Sequence, residues 1–428
     1  MATPSPASSS RTHSPTPAES PDMQKGRFSR LPAIAGKTFI PLGLIARLPL
    51  AMLTVGALTL ITAVSGSYAA GGFAAGAVGI GSALGAPTLG FLADKVGQRP
   101  VLLVAAALNA LAIAGMVIVG YAGGPGAAII PTLLAAFAMG ATCPQIGPLA
   151  RVRWMALTEG HRPADLDTAM SYESTADELT FVLGPALVGL LASLVAPWLP
   201  LALAAALTVV FVSAFAVHPT EQSVVPLRSR PRTKARLTGF RRGAGSRGIS
   251  VAVPILGMVM MGTFFGSTQT ALIAFAGSFD AASSAGLLYA VMGISSAVAA
   301  LSVAYWSQRF SHPLRWMVSA AAMCAAALLL FLPQGIPLML LVLFVLGIPV
   351  GPTMVTIFSI GSLVAPKHLV GTVMTLLASG IVAGTALGAS VAGALAERGG
   401  LNAFAVPGMA AAGLLLLGLL SGVVVRKH

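Results

Sequence analysis

Residues 167–196 read DTAMSYESTADELTFVLGPALVGLLASLVA. The second half of this stretch is an apolar helix of membrane-spanning character. The first half carries Glu173, Asp177 and Glu178 within what reads as the same helix. Glu173 and Asp177 are four residues apart and share a face, while Glu178 sits about 100° round from Asp177. A carboxylate at mid-helix in a membrane costs on the order of 2.5–3.5 kcal/mol. Three of the chain's twelve acids are placed here, and function is the default reading of such charges.

Composition decides the medium around that helix. The chain has 428 residues, 56% hydrophobic and 9% charged, with a mean hydropathy of +0.88. Soluble domains carry about 25% charged residues, so this is an integral membrane protein. Its 48 glycines suit close approach of membrane helices. Cys143 and Cys324 lie in apolar runs, which implies neither a disulfide framework nor a metal site. Residues 1–36 are rich in Pro, Ser and Ala and contain no apolar run long enough for a signal peptide. They are expected to form a disordered cytoplasmic tail.

Apolar runs of about 20 residues, enough to cross a bilayer, occur near 38–64, 72–93, 101–121, 127–149, 169–195 and 198–217. Six more follow, near 250–276, 284–306, 315–332, 337–361, 369–395 and 403–425. An N-terminus on the inside places 23 of the 25 Lys and Arg at the cytoplasmic face. That count includes three basic residues assigned to loop 4–5. Only Arg398 falls outside, and Arg47 falls within span 1. The net charge of +13 is thus a topology signal and does not call for nucleic acid. The expected organisation is a tail at 1–36, a six-helix bundle at 37–217, a basic cytoplasmic linker at 218–249 and a second six-helix bundle at 250–428. A shift of 200 residues sets Gly184 on Gly384, so the halves read as weak repeats, but it sets Glu173, Asp177 and Glu178 on Val373, Leu377 and Ala378. The fold is duplicated and the carboxylates are not. Parallel six-helix halves place substrate at their interface, near mid-membrane.

Loop 2–3 reads Gly90-Phe-Leu-Ala-Asp94-Lys95-Val-Gly97-Gln-Arg99. It is a tight turn whose acid can face a neighbouring helix N-terminus or a base, in contacts that break when the halves rock. Here the chain resembles the major facilitator superfamily, whose loop 2–3 signature is G-x-x-x-D-[RK]-x-G-[RK]-[RK]. Gly90, Asp94, Lys95, Gly97 and Arg99 match it and Gln98 departs. The equivalent loop 8–9, around Gln308 and Arg309, has lost its acid. In span 5, Gly184, Pro185 and Gly189 resemble the antiporter signature of the 12-span drug–proton group, with Thr180 and Val188 in place of two of its glycines. The group's span 4 arginine has no counterpart at Ala136, four residues before Gly140.

Arg47 offers a replacement. It lies ~15 Å into span 1 counted from Lys37, and Glu178 lies ~16 Å into span 5 counted from Asp167, at 1.5 Å per residue. Glu173 lies only about 10 Å in by the same count. The resemblance implies that spans 1 and 5 are neighbours, so Arg47 is expected to pair with Glu178 or Asp177. The alternatives are an arginine that snorkels to the headgroups and a purely structural ion-pair network. Burial penalises an ionised carboxyl and a guanidinium favours it, which suits Glu173, Asp177, Glu178 and Arg47 to proton coupling. Spans 4, 7 and 10 line the cavity in this family, so Gln145, Thr263, Thr268, Gln269, Thr353 and Thr356 are candidate substrate contacts, or else helix–helix hydrogen bonds. Gly81-x-x-x-Gly85 and Gly384-x-x-x-Gly388 read as small-residue packing faces.

The expected fold is therefore all-α, with twelve transmembrane helices in two six-helix bundles and both termini cytoplasmic. The expected function is secondary active transport, not enzymatic catalysis, since no nucleophile–base pair, metal cluster or phosphate-binding loop is visible. No cofactor or metal is called for. The partners are a small-molecule substrate, protons and the lipid bilayer, with the chain working as a monomer in the cell's inner (cytoplasmic) membrane. Proton-coupled efflux of small hydrophobic or amphipathic compounds is the leading expectation. Proton-coupled uptake of a small solute and a non-transporting receptor on the same fold are the rivals.

Overall fold

The computed structural model describes residues 27–123, 129–229, 244–279, 285–307, 309–396 and 400–425. Residues 1–26 of the expected tail, 230–243 of the expected linker, Gln308 and Arg398 lie outside the described residues. Among those described, twelve helices are long and apolar enough to cross a membrane. In chain order they are α1 Phe39–Ser65, α2 Tyr68–Val96, α3 Gln98–Gly123, a divided α4 (α4a Ile129–Ala141 and α4b Ile146–Leu157), α5 Pro163–Leu194 and α6 Leu199–Val217. The second half holds α7 Ala244–Gly277, α8 Ala285–Ser302, α9 His312–Leu328, α10 Ile336–Val364, α11 Val370–Ala396 and α12 Ala405–Val425.

The two halves repeat one packing plan. Helices α1 with α5 and α2 with α4a form the tight pairs of the first half; α7 with α11 and α8 with α10 form their counterparts. Small residues make these crossings possible. A Cβ on Gly81 or Gly85 would fall 2.2 and 2.0 Å from the carbonyl oxygens of Phe137 and Ala141 on α4a. On Gly384 or Gly388 it would fall 2.0 and 2.1 Å from those of Val259 and Thr263 on α7. Backbone here rests on backbone, as membrane helix pairs with small residues do. Large apolar side chains such as Leu84, Leu134, Ile118 and Val298 point outward and are more than half exposed, a surface suited to lipid rather than water.

Three stretches differ from the expectation. Residues 27–35, assigned to a disordered tail, form a 3-10 turn and a short helix, with Leu31 and Ala35 buried against the first bundle. Span 4, expected to end at 149, continues as α4b to Leu157, and α5 begins at Pro163 rather than near 169. The loop 4–5 assignment of Arg151 and Arg153 is corrected with it: both lie inside α4b and are fully buried. The interruption between α4a and α4b falls at Thr142–Gln145. Pro144 has no N–H to continue the ladder and disfavours the α region at the preceding residue, Cys143.

The halves meet chiefly through α2 with α11 and α5 with α8. The end of the molecule that carries loop 2–3, Arg162, Arg309 and Lys367 is its basic end, and most of the bonds that join the halves lie near it. A small central cavity of about 50 Å³ lies between the halves, walled by α1, α2, α4b, α5, α10 and α11.

Candidate functional site

The cavity wall is built around an ion cluster in the first half. Arg47 reaches from α1 to α5, where its Nη2 donates to the Glu173 carboxylate and its Nη1 to the Glu173 carbonyl at 3.3 Å. The same Nη1 lies 3.5 Å from Asp177 Oδ1. From α4b, Arg151 Nη2 donates to Asp177 Oδ2 at 2.8 Å. Its guanidinium carbon also stands 3.7 Å from the ring centroid of Phe358 on α10, a cation–π contact across the two halves. Glu173 turns inward, accepting from Trp154 Nε1 at 2.7 Å. Two guanidiniums thus balance two carboxylates, which offsets the cost of burying either sign alone.

Glu178 stands apart from this balance. It is buried, and its Oε1 accepts from the Ser296 hydroxyl of α8 at 2.8 Å. Of the two acids expected beside Arg47, Asp177 lies 3.5 Å from its Nη1, whereas the place expected for Glu178 is taken by Glu173. The physical reason is the helix start. Counted from Pro163, Glu173 rather than Glu178 lies about 15 Å into α5, level with Arg47.

Sequence reasoning missed Arg151, Arg153 and Trp154, because two arginines in three residues read as a loop. Arg153 is the structural member of this set. It donates to Gln98 Oε1 at 2.8 Å, to the Phe215 carbonyl at 2.8 Å and to Thr220 Oγ1 at 3.0 Å. Gln98, the residue that departs from the loop 2–3 signature, thus bridges α3 to α4b. Beyond α6, His218 bonds through its ring nitrogens to Thr38 and Thr220, at 3.1 and 3.0 Å. Burial and the nearby Arg153 charge push its pKa below the ordinary 6.5.

The loop 2–3 residues take a defined place. Asp94 caps the N-terminus of α11, accepting from Gly371 N at 2.8 Å and from Thr372 N and Oγ1 at 2.7 Å each. A negative charge there meets the positive end of the helix. Gly90 lets α2 close on α11, since a Cβ on it would lie 2.1 Å from Thr375 Oγ1. Gly97 has φ +105°, a backbone open to glycine. Lys95 and Arg99 are exposed, with the Lys95 ammonium 5.9 Å from the Phe91 ring. Nearby, Asp167 of α5 meets Arg315 at 3.3 Å and His312 at 3.4 Å on α9. Together these contacts close the basic end.

The remaining candidates divide. Gln145 lines the cavity. Thr263, Thr268, Thr353 and Thr356 each donate to the carbonyl four residues earlier in their own helix, and Gln269 is exposed. Gly184 brings α5 onto α1, where its Cβ would fall 2.6 Å from that of Ala51. Pro185 lies inside α5, and Gly189 faces open space.

Two six-helix halves around a central cavity, sealed at one end by charge–helix contacts, define a secondary transporter rather than an enzyme. The chain belongs to the Major Facilitator Superfamily, whose sequence profile matches residues 39–389. It is 24% identical over 318 residues to the multidrug efflux pump Tap of Mycolicibacterium fortuitum, covering 73% of this chain and 77% of that one. In structure it resembles the human organic anion transporter MFSD10 (TETRAN), with TM-score 0.66 and 19% identity over 90% of this chain and 98% of that one. It also resembles the E. coli fucose:proton symporter FucP, with TM-score 0.63 and 15% identity over 89% and 98%.

Proposed function

We propose that the protein is a proton-coupled exporter of small hydrophobic or amphipathic compounds, working by alternating access in the cell's inner membrane with its basic end cytoplasmic. The charge count carries this reading. Arg47 and Arg151 balance Glu173 and Asp177, which leaves Glu178 as an acid whose bonding partner is the neutral hydroxyl of Ser296. Adding one proton to Glu178 makes the group electrically neutral, and removing it leaves one net negative charge. Glu178 therefore serves as the proton carrier, and its contact with α8 ties the proton to the packing of one half on the other. The similarity to an efflux pump favours export, and the excess of basic residues favours a cytoplasmic basic end.

The experiment is a pH measurement inside proteoliposomes of the purified protein, with amphipathic probes of either charge added outside. Probe-stimulated proton movement opposite to the probe is expected, and Glu178→Gln should abolish it while leaving probe binding intact. Proton movement undiminished in Glu178→Gln would place the carrier elsewhere, and movement alongside the probe would make the protein a symporter.

A further inference from the structure

Within that reading of the cavity, we infer that the site is built for amphipathic anions, with a carboxylate-type head group seated between Arg151 and the start of α4b. Three features of the wall converge on this.

The first is unused donor capacity. Arg151 is fully buried, lines the cavity, and commits Nη2 to Asp177 and Ser174. Its Nε and Nη1 have no protein partner among the described residues, and neither does Nε of Arg47. A guanidinium presents its donors in a planar fork that suits a carboxylate bidentately. The Phe358 ring covers the face of the Arg151 fork, and the unpaired nitrogens lie buried along its edge.

The second is the helix end. α4b is a twelve-residue helix whose first residues, Ile146, Gly147 and Pro148, all line the cavity. No side chain caps it, because Gln145 turns its amide to the Cys143 carbonyl at 3.1 Å. A discontinuous membrane helix that aims its N-terminus at a cavity attracts negative charge there. Gly147 keeps this corner open, since a Cβ on it would lie 3.4 Å from Arg151 Nη1 and 2.8 Å from Asp177 Oδ1.

The third is the sign of the wall. The charged groups that face the cavity are Arg47, Arg151 and Asp177, while Glu173, which completes the charge balance, is turned behind the wall to Trp154. A cationic substrate would have to take Asp177 from two guanidiniums that already hold it. An anionic one uses donors that are free. The rest of the lining, including Leu50, Phe181, Ile381 and Val382, is apolar and accepts a hydrocarbon body.

The test is equilibrium binding to the full chain in nanodiscs, using tritiated phenylbutyrate displaced by phenylbutyrate, phenylbutyramide or phenylbutylamine, which share one skeleton and differ in the head. The carboxylate should displace about tenfold better than the amide, since hydrogen bonds to charged groups exceed neutral ones by roughly that factor, and the amine should be weakest. Arg151→Gln combined with Asp177→Asn keeps the cluster's charge sum and should erase the preference between acid and amide. If that variant fails to fold, Arg151→Lys, which keeps charge and loses the fork, should weaken phenylbutyrate binding without affecting the amide. Equal displacement by all three heads, preference for the amine, a preference that survives loss of the Arg151 fork, or no saturable phenylbutyrate binding in the millimolar range would overturn the inference. Binding is read without a pH gradient. Acid-selective binding with no proton movement therefore sinks the coupling and spares this site, and charge-blind binding with proton movement does the reverse.

Discussion

Asp94 and Thr372 are joined by two hydrogen bonds of 2.7 Å, one from the Thr372 amide and one from its hydroxyl. The pair links the last turn of α2 to the first turn of α11 and so joins the two halves at the basic end. Asp94→Asn keeps the side chain's shape and removes the charge that meets the helix end. Helix-terminus charges contribute about 0.3–2 kcal/mol, so the closed form should lose roughly tenfold in population. Thermal stability should stay close to the parent's while transport falls several-fold. Parental turnover in this variant would reduce the loop to a topology determinant.

Closure itself is testable from the glycine opposite. In Gly90→Leu the first side-chain carbon would meet Thr375 Oγ1 at 2.1 Å and the Gly371 carbonyl at 2.8 Å, so the basic end should stay open. Ala86→Cys on the cavity wall, in a chain with Cys143 and Cys324 replaced by serine, should then react with an impermeant maleimide from the basic side. Labelling no faster than with Gly90 intact would show that the α2–α11 contact is not the seal.

The Arg47–Glu173 pair calls for a double-mutant cycle. Breaking a buried pair by removing one member costs about 3–5 kcal/mol, and removing both costs much less. Arg47→Met and Glu173→Gln should each lower the unfolding temperature sharply, and the double variant should recover most of that loss. Additive losses would mean that the guanidinium and the carboxylate are stabilised independently.

A pH effect on stability follows from His218. Its folded-state pKa lies below the ordinary 6.5 because of burial and the Arg153 charge. A depressed histidine gives a stabilising contribution that is complete above the unfolded value and lost as pH falls through the folded one. Unfolding temperatures of the parent should therefore drop on acidification below about pH 6.5, and His218→Gln should flatten that part of the profile. Identical slopes in the two proteins would assign the acid sensitivity elsewhere.

Topology has its own check. Residues 218–249 should be cleaved by protease in inverted membrane vesicles and protected in intact cells. Cleavage from outside the cell would reverse the orientation.

The spans, the duplicated bundles and the Asp94 loop were readable because each leaves a strong local mark: apolar runs, turn glycines and an acid at a helix end. The partners inside the cluster were not. Depth along a helix follows from counting residues, but the count depends on where the helix starts, and four residues at the head of α5 moved Arg47 from Glu178 to Glu173. Arg151 and Arg153 were hidden because hydropathy reads two arginines as a loop. A signal was nonetheless there, in the apolar Leu149, Val152, Trp154 and Met155 interleaved with them. The Glu178–Ser296 contact left no mark at all, since a serine in a membrane helix usually bonds to its own backbone.

The odd charge beside the balanced cluster bears on what energises a transport cycle. Exchanging one exported monovalent anion for one imported proton carries two elementary charges in the same electrical sense. Each is worth about 2.3 kcal/mol per 100 mV, so an inside-negative voltage of about 100 mV would supply about 4.6 kcal/mol per turnover. That corresponds to roughly a 2,000-fold concentration ratio before any pH difference is counted. A cell whose pH gradient had collapsed would go on expelling such compounds for as long as its membrane voltage lasted.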